Sequence, residues 1–553
     1  MNRRHFIHLS LAGLGVTAQS RALLGADESA QGELLYNGIR LPAVWPPHIS
    51  HPAGKTEQLP PHLATPPAVI PIDVGRQLFV DDFLIEQTGL KRTSHLPEWH
   101  PANPILQPDQ PWEKLGAAPM AAPFSDGVWW DPRDRLFKLW YMAGYRQATA
   151  LAVSEDGIKW QKRDCGVVAG TNIVHTGDRD SASVWLDLDE PDPKRRFRLY
   201  RAHREEIDGR GQWWFEIHLS ADGIHWSEIA GRSNAIYPRS TVFRNPFRRV
   251  WGFGIRKDST TAVGRCRRYY EGKDGIADAA KEHDDRGWWI AADASDIARE
   301  DAKLAPQLSN IDCAAYESVM LGLLSLYRGK ADAESGRPEL NDVCAGFSRD
   351  GFHFARPDRR PFLAMSEKKG DWNWGNVQSA GGGCLVVGDK LYFYASGRRG
   401  GGAEFPDGGA CTGLATLRRD GFVSLDADAT PGTITTRTVK FSGKHLCVNL
   451  AAPQGELRAE VLDPEGKVIA PFTRENCVAA SGDRTLIKLV WKGGVDLSRL
   501  AGQPVKFRFH LTNGALYAFW VSPDGSGASH GYVAGGGPGF SRATDTVGNF
   551  AAL

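Results

Sequence analysis

Ser154-Glu155-Asp156-Gly157-Ile158-Lys159-Trp160 returns as Ser220-Ala221-Asp222-Gly223-Ile224-His225-Trp226 and again as Ser348-Arg349-Asp350-Gly351-Phe352-His353-Phe354. Asp156 and Asp222 are 66 residues apart, and Asp222 and Asp350 are 128 apart, close to twice that interval. The doubled gap predicts a decayed copy, expected at Ala292-Asp293-Ala294-Ser295-Asp296, and Asp420-Gly421-Phe422 supplies a fifth station. Repetition on this scale belongs to propellers or solenoids. Each phrase joins an apolar run to an aromatic through Asp-Gly, a strong short hairpin signal. The reading is therefore all-β, with five blades built of hairpins between about residues 80 and 425.

Composition agrees. The chain of 553 residues is too long for one ordinary core and suits two folded domains after a leader. Its 61 glycines, 33 prolines and 18 tryptophans fit many tight turns and large half-buried rings. With 66 basic against 65 acidic residues, no global field points to nucleic acid or to an anionic membrane. The expected partner is a small molecule.

Along the chain, Arg3-Arg4 before the apolar stretch 9–16 resembles a twin-arginine export signal over residues 1–26, too short to span a bilayer. The mature protein is expected in the periplasm or secreted, with no membrane span. Residues 27–71, with Pro46-Pro47 and Pro60-Pro61, read as an extended arm. The propeller is expected over 72–428. Beyond it, short strands separated by Asp-Pro-Glu-Gly, Ser-Gly-Asp and Pro-Asp-Gly turns predict a C-terminal β-sandwich over 429–553. Eight cysteines occur without any C-x-x-C, so no zinc or iron–sulfur site is expected and no disulfide is assigned. No metal and no cofactor is called for.

In a propeller the innermost strands converge on a central funnel, so acids at their starts are the candidates for chemistry. Asp126 lies in Phe124-Ser125-Asp126-Gly127, Asp180 in Arg179-Asp180-Ser181, and Asp312 and Glu317 in Asp312-Cys313-Ala314-Ala315-Tyr316-Glu317. Glu317, flanked by apolar residues, is expected to be desolvated and raised toward the pKa a general acid needs. Arg239 stands in the third blade where the others offer carboxylates, to pair with one of them or to grip an anionic substrate group. Trp374, Asn376 and Gln378 combine a ring for sugar faces with amides for hydroxyls. Two carboxylates across a glycosidic bond can hydrolyse it. No H-E-x-x-H zinc motif or phosphate loop competes.

Several stretches resemble a known group: Leu78-Phe79-Val80-Asp81-Asp82, Asn103-Pro104-Ile105-Leu106, Arg239-Ser240-Thr241, Ala315-Tyr316-Glu317-Ser318 and Trp374-Gly375-Asn376-Val377-Gln378-Ser379. They are similar to secreted glycoside hydrolase family 32-like proteins of planctomycete-type bacteria, within the family 32 and 43 five-bladed propeller superfamily. The resemblance implies an Asp nucleophile, a transition-state-stabilising Asp and a Glu acid/base. Arg179-Asp180-Ser181 is similar to the phrase of the second and Tyr316-Glu317-Ser318 to that of the third. The nucleophile phrase Asn-Asp-Pro-Asn-Gly is absent, with Asp126 or Asp82 as substitutes, and Glu317 falls in the fourth blade rather than the third.

The expectation is an exported glycoside hydrolase acting on an oligo- or polysaccharide. Glu317 serves as acid/base and Asp180 and Asp126 as the other carboxylates. Arg239, Arg256, Tyr316, Trp374, Asn376, Gln378, Asp312 and Asp82 line the substrate. A non-catalytic carbohydrate-binding propeller is the alternative, favoured if the funnel acids all pair with arginines. A lyase is a third possibility and would need a Tyr or His base.

Overall fold

The structure, a computed structural model, describes residues 32–49, 59–258, 264–281, 287–302, 304–400 and 409–548. The export signal expected at 1–26 lies outside them. The chain is nearly all-β.

Among the described residues, five antiparallel runs of strands follow one another. The first contains Val128–Asp131, Leu136–Ala143, Ala148–Ser154 and Ile173–His175. The second contains Ala182–Leu186, Phe197–Ile207, Arg210–Ser220 and Gly231–Arg232, and the third Thr241–Asn245, Val250–Asp258, Arg265–Gly272 and Gly287–Ala291. The fourth is Gln307–Glu317, Val319–Gly329 and Leu340–Ser348. The fifth is Asn376–Ser379, Lys390–Arg398 and Ala410–Arg418, and its outer strand is Glu98–Trp99, from before the first run (Ala415 pairs with Trp99). Apolar clusters lie between neighbouring runs. Trp140 and Leu151 pack with Val184 and Leu199, and Tyr200 and Phe215 pack with Trp251 and Phe253.

The repeated phrase is not a hairpin turn. It follows the third strand of a run as a loop capped by its own side chains. Asp156 Oδ1 accepts from the N–H groups of Ile158 and Lys159, both at 2.8 Å, and Ser154 Oγ accepts from Gly157 N–H at 2.9 Å. Asp222 and Asp350 repeat these bonds. Such side-chain acceptors replace the ladder partner a hairpin would supply. The same geometry corrects the place of the decayed copy. Asp274 Oδ1 accepts from Ile276 and Ala277 N–H, after the third strand of the third run, so the copy is Asp274-Gly275-Ile276. Asp293 and Asp296 instead hold Arg356.

Each phrase docks on the preceding run. Trp140 donates to Gly223 O at 2.8 Å, Trp289 to Phe352 O at 2.8 Å, and Tyr316 Oη to Asp420 Oδ1 at 2.6 Å, while Gly275 lies against Tyr200 and Trp251. Tyr394, in the fifth run, donates to Gly157 O of the first at 2.7 Å. The chain of contacts thus closes on itself.

A nine-stranded sheet gathers the C-terminal strands, including Val423–Ala427, Gly432–Thr436, His445–Leu462, Lys506–Thr512 and Gly514–Ser522. Two boundaries differ from the sequence reading. Gln77–Leu78, Ile85–Thr88 and Lys91–Ser94 pair within this sheet rather than with the repeat, and Leu35, Ile39 and Leu41 of the arm enter its apolar core. In the other direction, Tyr532–Val533 pairs with Tyr316 and Glu317, and Gly535 joins the first and fifth runs through Trp130 N–H and Cys384 O. Among the described residues the cysteines form no disulfide.

Candidate functional site

The starts of the inner strands are stitched around one axis by polar contacts. Asp126 O accepts from Val184 N–H at 2.8 Å, Ser181 Oγ accepts from Arg239 N–H at 3.0 Å, and Thr241 Oγ1 donates to Ile311 O at 2.8 Å. Ser379 Oγ donates to Asp312 Oδ2 at 2.5 Å, and Asn310 Nδ2 donates to Ser125 Oγ at 2.8 Å, which ties the first run to the fourth. Two residues in this ring have left-handed backbone, Phe124 at φ 42° and Arg239 at φ 66°. Bulky side chains avoid that region unless their surroundings over-determine it, and such strain gathers at functional sites. For Arg239 the constraint is visible: besides its N–H bond, its carbonyl accepts from Arg267 at 3.1 Å.

Asp126, Asp180, Arg239 and Asp312 therefore come together. Their environments differ. Asp126 is fully buried and clamped by Arg179 through two parallel bonds of 2.5 and 2.6 Å, with Thr149 Oγ1 and the Asp180 carbonyl accepting the guanidinium's other bonds. Burial pushes its pKa upward and Arg179 opposes the shift. A carboxylate held in this fork has both oxygens committed. Asp180 Oδ1 accepts from Ser181 N–H at 2.9 Å and lies 3.8 Å from Arg239 Nε, with its side chain 12% exposed.

Asp312 has no ion pair among the described residues and is bonded by Ser379 and by Asn310 Nδ2 at 2.9 Å. Burial pushes its pKa up to about 7, with the hydroxyls of Ser379 and Ser125 and the charges of Arg267 and Arg239 limiting the rise. It is thus a carboxyl that holds or releases a proton near neutrality.

Arg239 and Arg398 both lie over the Phe124 ring, at 4.2 and 5.8 Å from its centre. Burial, together with Arg239, lowers the pKa of Arg398. Asn376 donates to Glu339 O, Gln378 donates to Asn376 Oδ1, and Arg256 reaches this region through its N–H bond to Ser240 Oγ.

Four expected residues lie elsewhere. Glu317, expected as acid/base in the funnel, ends the strand on which Asp312 sits. Five residues at about 3.4 Å each separate them by roughly 17 Å. It is fully buried at the junction with the C-terminal sheet, bonded by Ser529 Oγ at 2.6 Å, Arg419 at 3.0 Å and Arg76 N–H at 3.1 Å. Burial raises its pKa as the sequence suggested, but Arg419 and Arg76 oppose that, and its oxygens are occupied. Tyr316 is buried beside it and donates to Asp420. Asp82 is an exposed partner of Arg92. Trp374 is buried in a bridge to Ser366 rather than placed against the axis.

Sequence reasoning missed Phe124, Asn310, Ser379 and Arg398. Ser379 directly follows Gln378 and was within reach. Arg398, at the end of the second strand of its run, carries no motif. A separate cavity of about 570 Å³ lies at the opposite ends of the same inner strands, lined by Trp130, Trp185, Arg198, Arg244, Tyr532 and Gly535. None of the residues expected to be catalytic lines it.

No protein-family model matches the chain, and no curated protein matches it. Solved glycoside hydrolases of families 43 and 32 are similar to it in structure, at low identity. A thermostable family 43 glycoside hydrolase is 11% identical, with a TM-score of 0.38, covering 56% of this chain and 94% of its own. A family 43 arabinoxylan arabinofuranohydrolase from Bacillus subtilis is 10% identical, with a TM-score of 0.32, covering 77% of this chain and 98% of its own. A family 32 β-fructofuranosidase from Bombyx mori is 12% identical, with a TM-score of 0.34, covering 77% and 93%.

Proposed function

We propose that the chain is a glycoside hydrolase whose active site is the funnel of a five-bladed β-propeller, with the C-terminal strands as an accessory β-sandwich. The blade count rests on five phrase-bearing runs whose docking contacts close from the last run to the first. The observation that carries the chemistry is Asp312. Its pKa near 7 suits a proton donor, while Asp180, with its side chain 12% exposed, stands just before the inner strand of the second run. Asp312 gives its proton to the departing glycosidic oxygen, and Asp180 attacks the anomeric carbon or takes a proton from the water that does. Arg239, strained and beside Asp180, holds that carboxylate in place. The Asp126–Arg179 pair fixes the floor rather than reacting.

The pairing of Asp126 with Arg179 also favours a second reading, a carbohydrate-binding propeller without catalysis. Reducing-sugar release from a panel of plant, algal and microbial glycans separates the two. Hydrolysis by the wild type that is lost in Asp312→Asn and in Asp180→Asn supports catalysis. Binding without hydrolysis by all three proteins overturns it. With the Arg3-Arg4 leader, we read the enzyme as exported to the periplasm or beyond.

A further inference from the structure

The cations of the funnel outnumber the acids that answer them. Arg179 is matched by Asp126 and Arg239 faces Asp180, but the Arg398 side chain makes no hydrogen bond or ion pair among the described residues, and its Nε is buried without a partner. The group is nonetheless drawn inward. Its guanidinium lies over the same Phe124 ring as that of Arg239, and the two like charges disfavour one another there. Isolated charges taken from water are costly unless paired. The ring offers partial compensation through its negative face.

The site's own acids cannot supply the balance. Asp180 is engaged with Ser181 N–H and Arg239, Asp126 is filled by Arg179, and Asp312, bonded by Ser379 and Asn310, lies on the fourth run. Glu339, which faces Arg398 electrostatically, is directed to Arg265 at 3.5 Å. Tyr145, which carries no charge at neutral pH, and Asp180, already engaged with Arg239, also face Arg398.

We propose that the saccharide entering this funnel carries an anionic substituent, a carboxylate or a sulfate ester, received by Arg398 and Arg239 above Phe124. This rests on the glycan-processing reading above and specifies its substrate class. Guanidinium forks bind both oxyanions through paired N–H···O bonds, and Arg398 is the group left with donors to give. The bound anion removes the repulsion between the two arginines, so binding is selective for charge and not only for sugar shape.

The test uses two matched pairs of probes: oligogalacturonate against its methyl ester, and sulfated galactan oligosaccharides against the same oligosaccharides after desulfation. Binding is measured by calorimetry, and hydrolysis by reducing ends, for the full-length wild type, Arg398→Gln and Arg398→Lys. The expected result is at least tenfold tighter binding of the anionic member of one pair, weakened by raising salt. Arg398→Gln loses that tenfold and leaves the neutral member unchanged, while Arg398→Lys recovers part of it. The pair that responds identifies carboxylate or sulfate. Equal binding of charged and neutral members, unaffected by Arg398→Gln, overturns the inference and leaves the glycan reading standing. Failure to bind any glycan overturns both. Should Arg398→Gln not fold, the salt dependence and the charged-to-neutral ratio of the wild type still decide.

Discussion

Replacing Asp312 by Asn tests the site through stability and activity at once. Burial pushes this carboxyl up to about 7 in the folded protein, against 3.8 for an ordinary aspartate. The native protein therefore keeps a proton that the unfolded chain has released between those pH values. Stability declines as pH rises through this window, by about 1.4 kcal/mol per unit, and the full loss of about 4 kcal/mol is complete above pH 7. Below about pH 4 both states are protonated and the penalty is absent. Asn keeps an acceptor for Ser379 and Asn310 and cannot ionise. Asp312→Asn is therefore expected to unfold with the wild type at pH 4, apart from a constant offset, and to exceed it by up to about 4 kcal/mol at pH 8. Urea midpoints between pH 4 and 8 measure this difference. If Asp312 is also the proton donor, the same variant loses hydrolysis by about 10²–10⁴-fold, and the wild-type rate falls above pH 7. Parallel stability curves at every pH would refute the assignment of a proton to Asp312.

Removing Arg179 with Arg179→Ala strands the buried Asp126 carboxylate and should cost about 3–5 kcal/mol, read by denaturant unfolding. Glu317→Gln disturbs a closed network with Arg419, Arg76 and Ser529, so a fall in stability of about 3 kcal/mol is expected with glycan chemistry retained in the folded protein. Complete loss of hydrolysis in stably folded Glu317→Gln would return that residue to the catalytic site. Gly223 has φ 77°, and a Cβ there would lie 2.5 Å from the Trp140 ring, so Gly223→Ala should lower stability by at least about 1–2 kcal/mol in a thermal melt.

Much of the architecture was legible because the repeat marks a local device. Ser, Asp and Gly at fixed offsets build the same side-chain-capped loop wherever they occur, whatever strand precedes it. What that loop touches was not legible. The phrase suggested a hairpin, since Asp-Gly has the same local signature in both settings, and only the docking of Trp140 on Gly223 or Tyr394 on Gly157 distinguishes them. The decayed copy was misplaced for a related reason. Asp274-Gly275-Ile276 lacks the Ser and the aromatic, and position after the third strand is what identifies it.

Of the site, Asp126, Asp180 and Arg239 stand just before inner strands, where the sequence reading looks for funnel groups, whereas Asp312 lies within Gln307–Glu317 rather than before a strand. Their division of labour was not legible. Apolar neighbours in sequence made Glu317 the expected desolvated acid, yet the same strand carries Asp312 and Glu317 to different ends, one beside Ser379 and the other beside Arg419. The local chain determined which residues are acidic, which turns are capped and how often the unit recurs. Tertiary structure alone decided which acid meets a guanidinium and which meets only hydroxyls and an amide, because burial and charge pairing are set largely by groups on other strands, such as Arg179 for Asp126, Ser379 for Asp312 and Arg419 for Glu317.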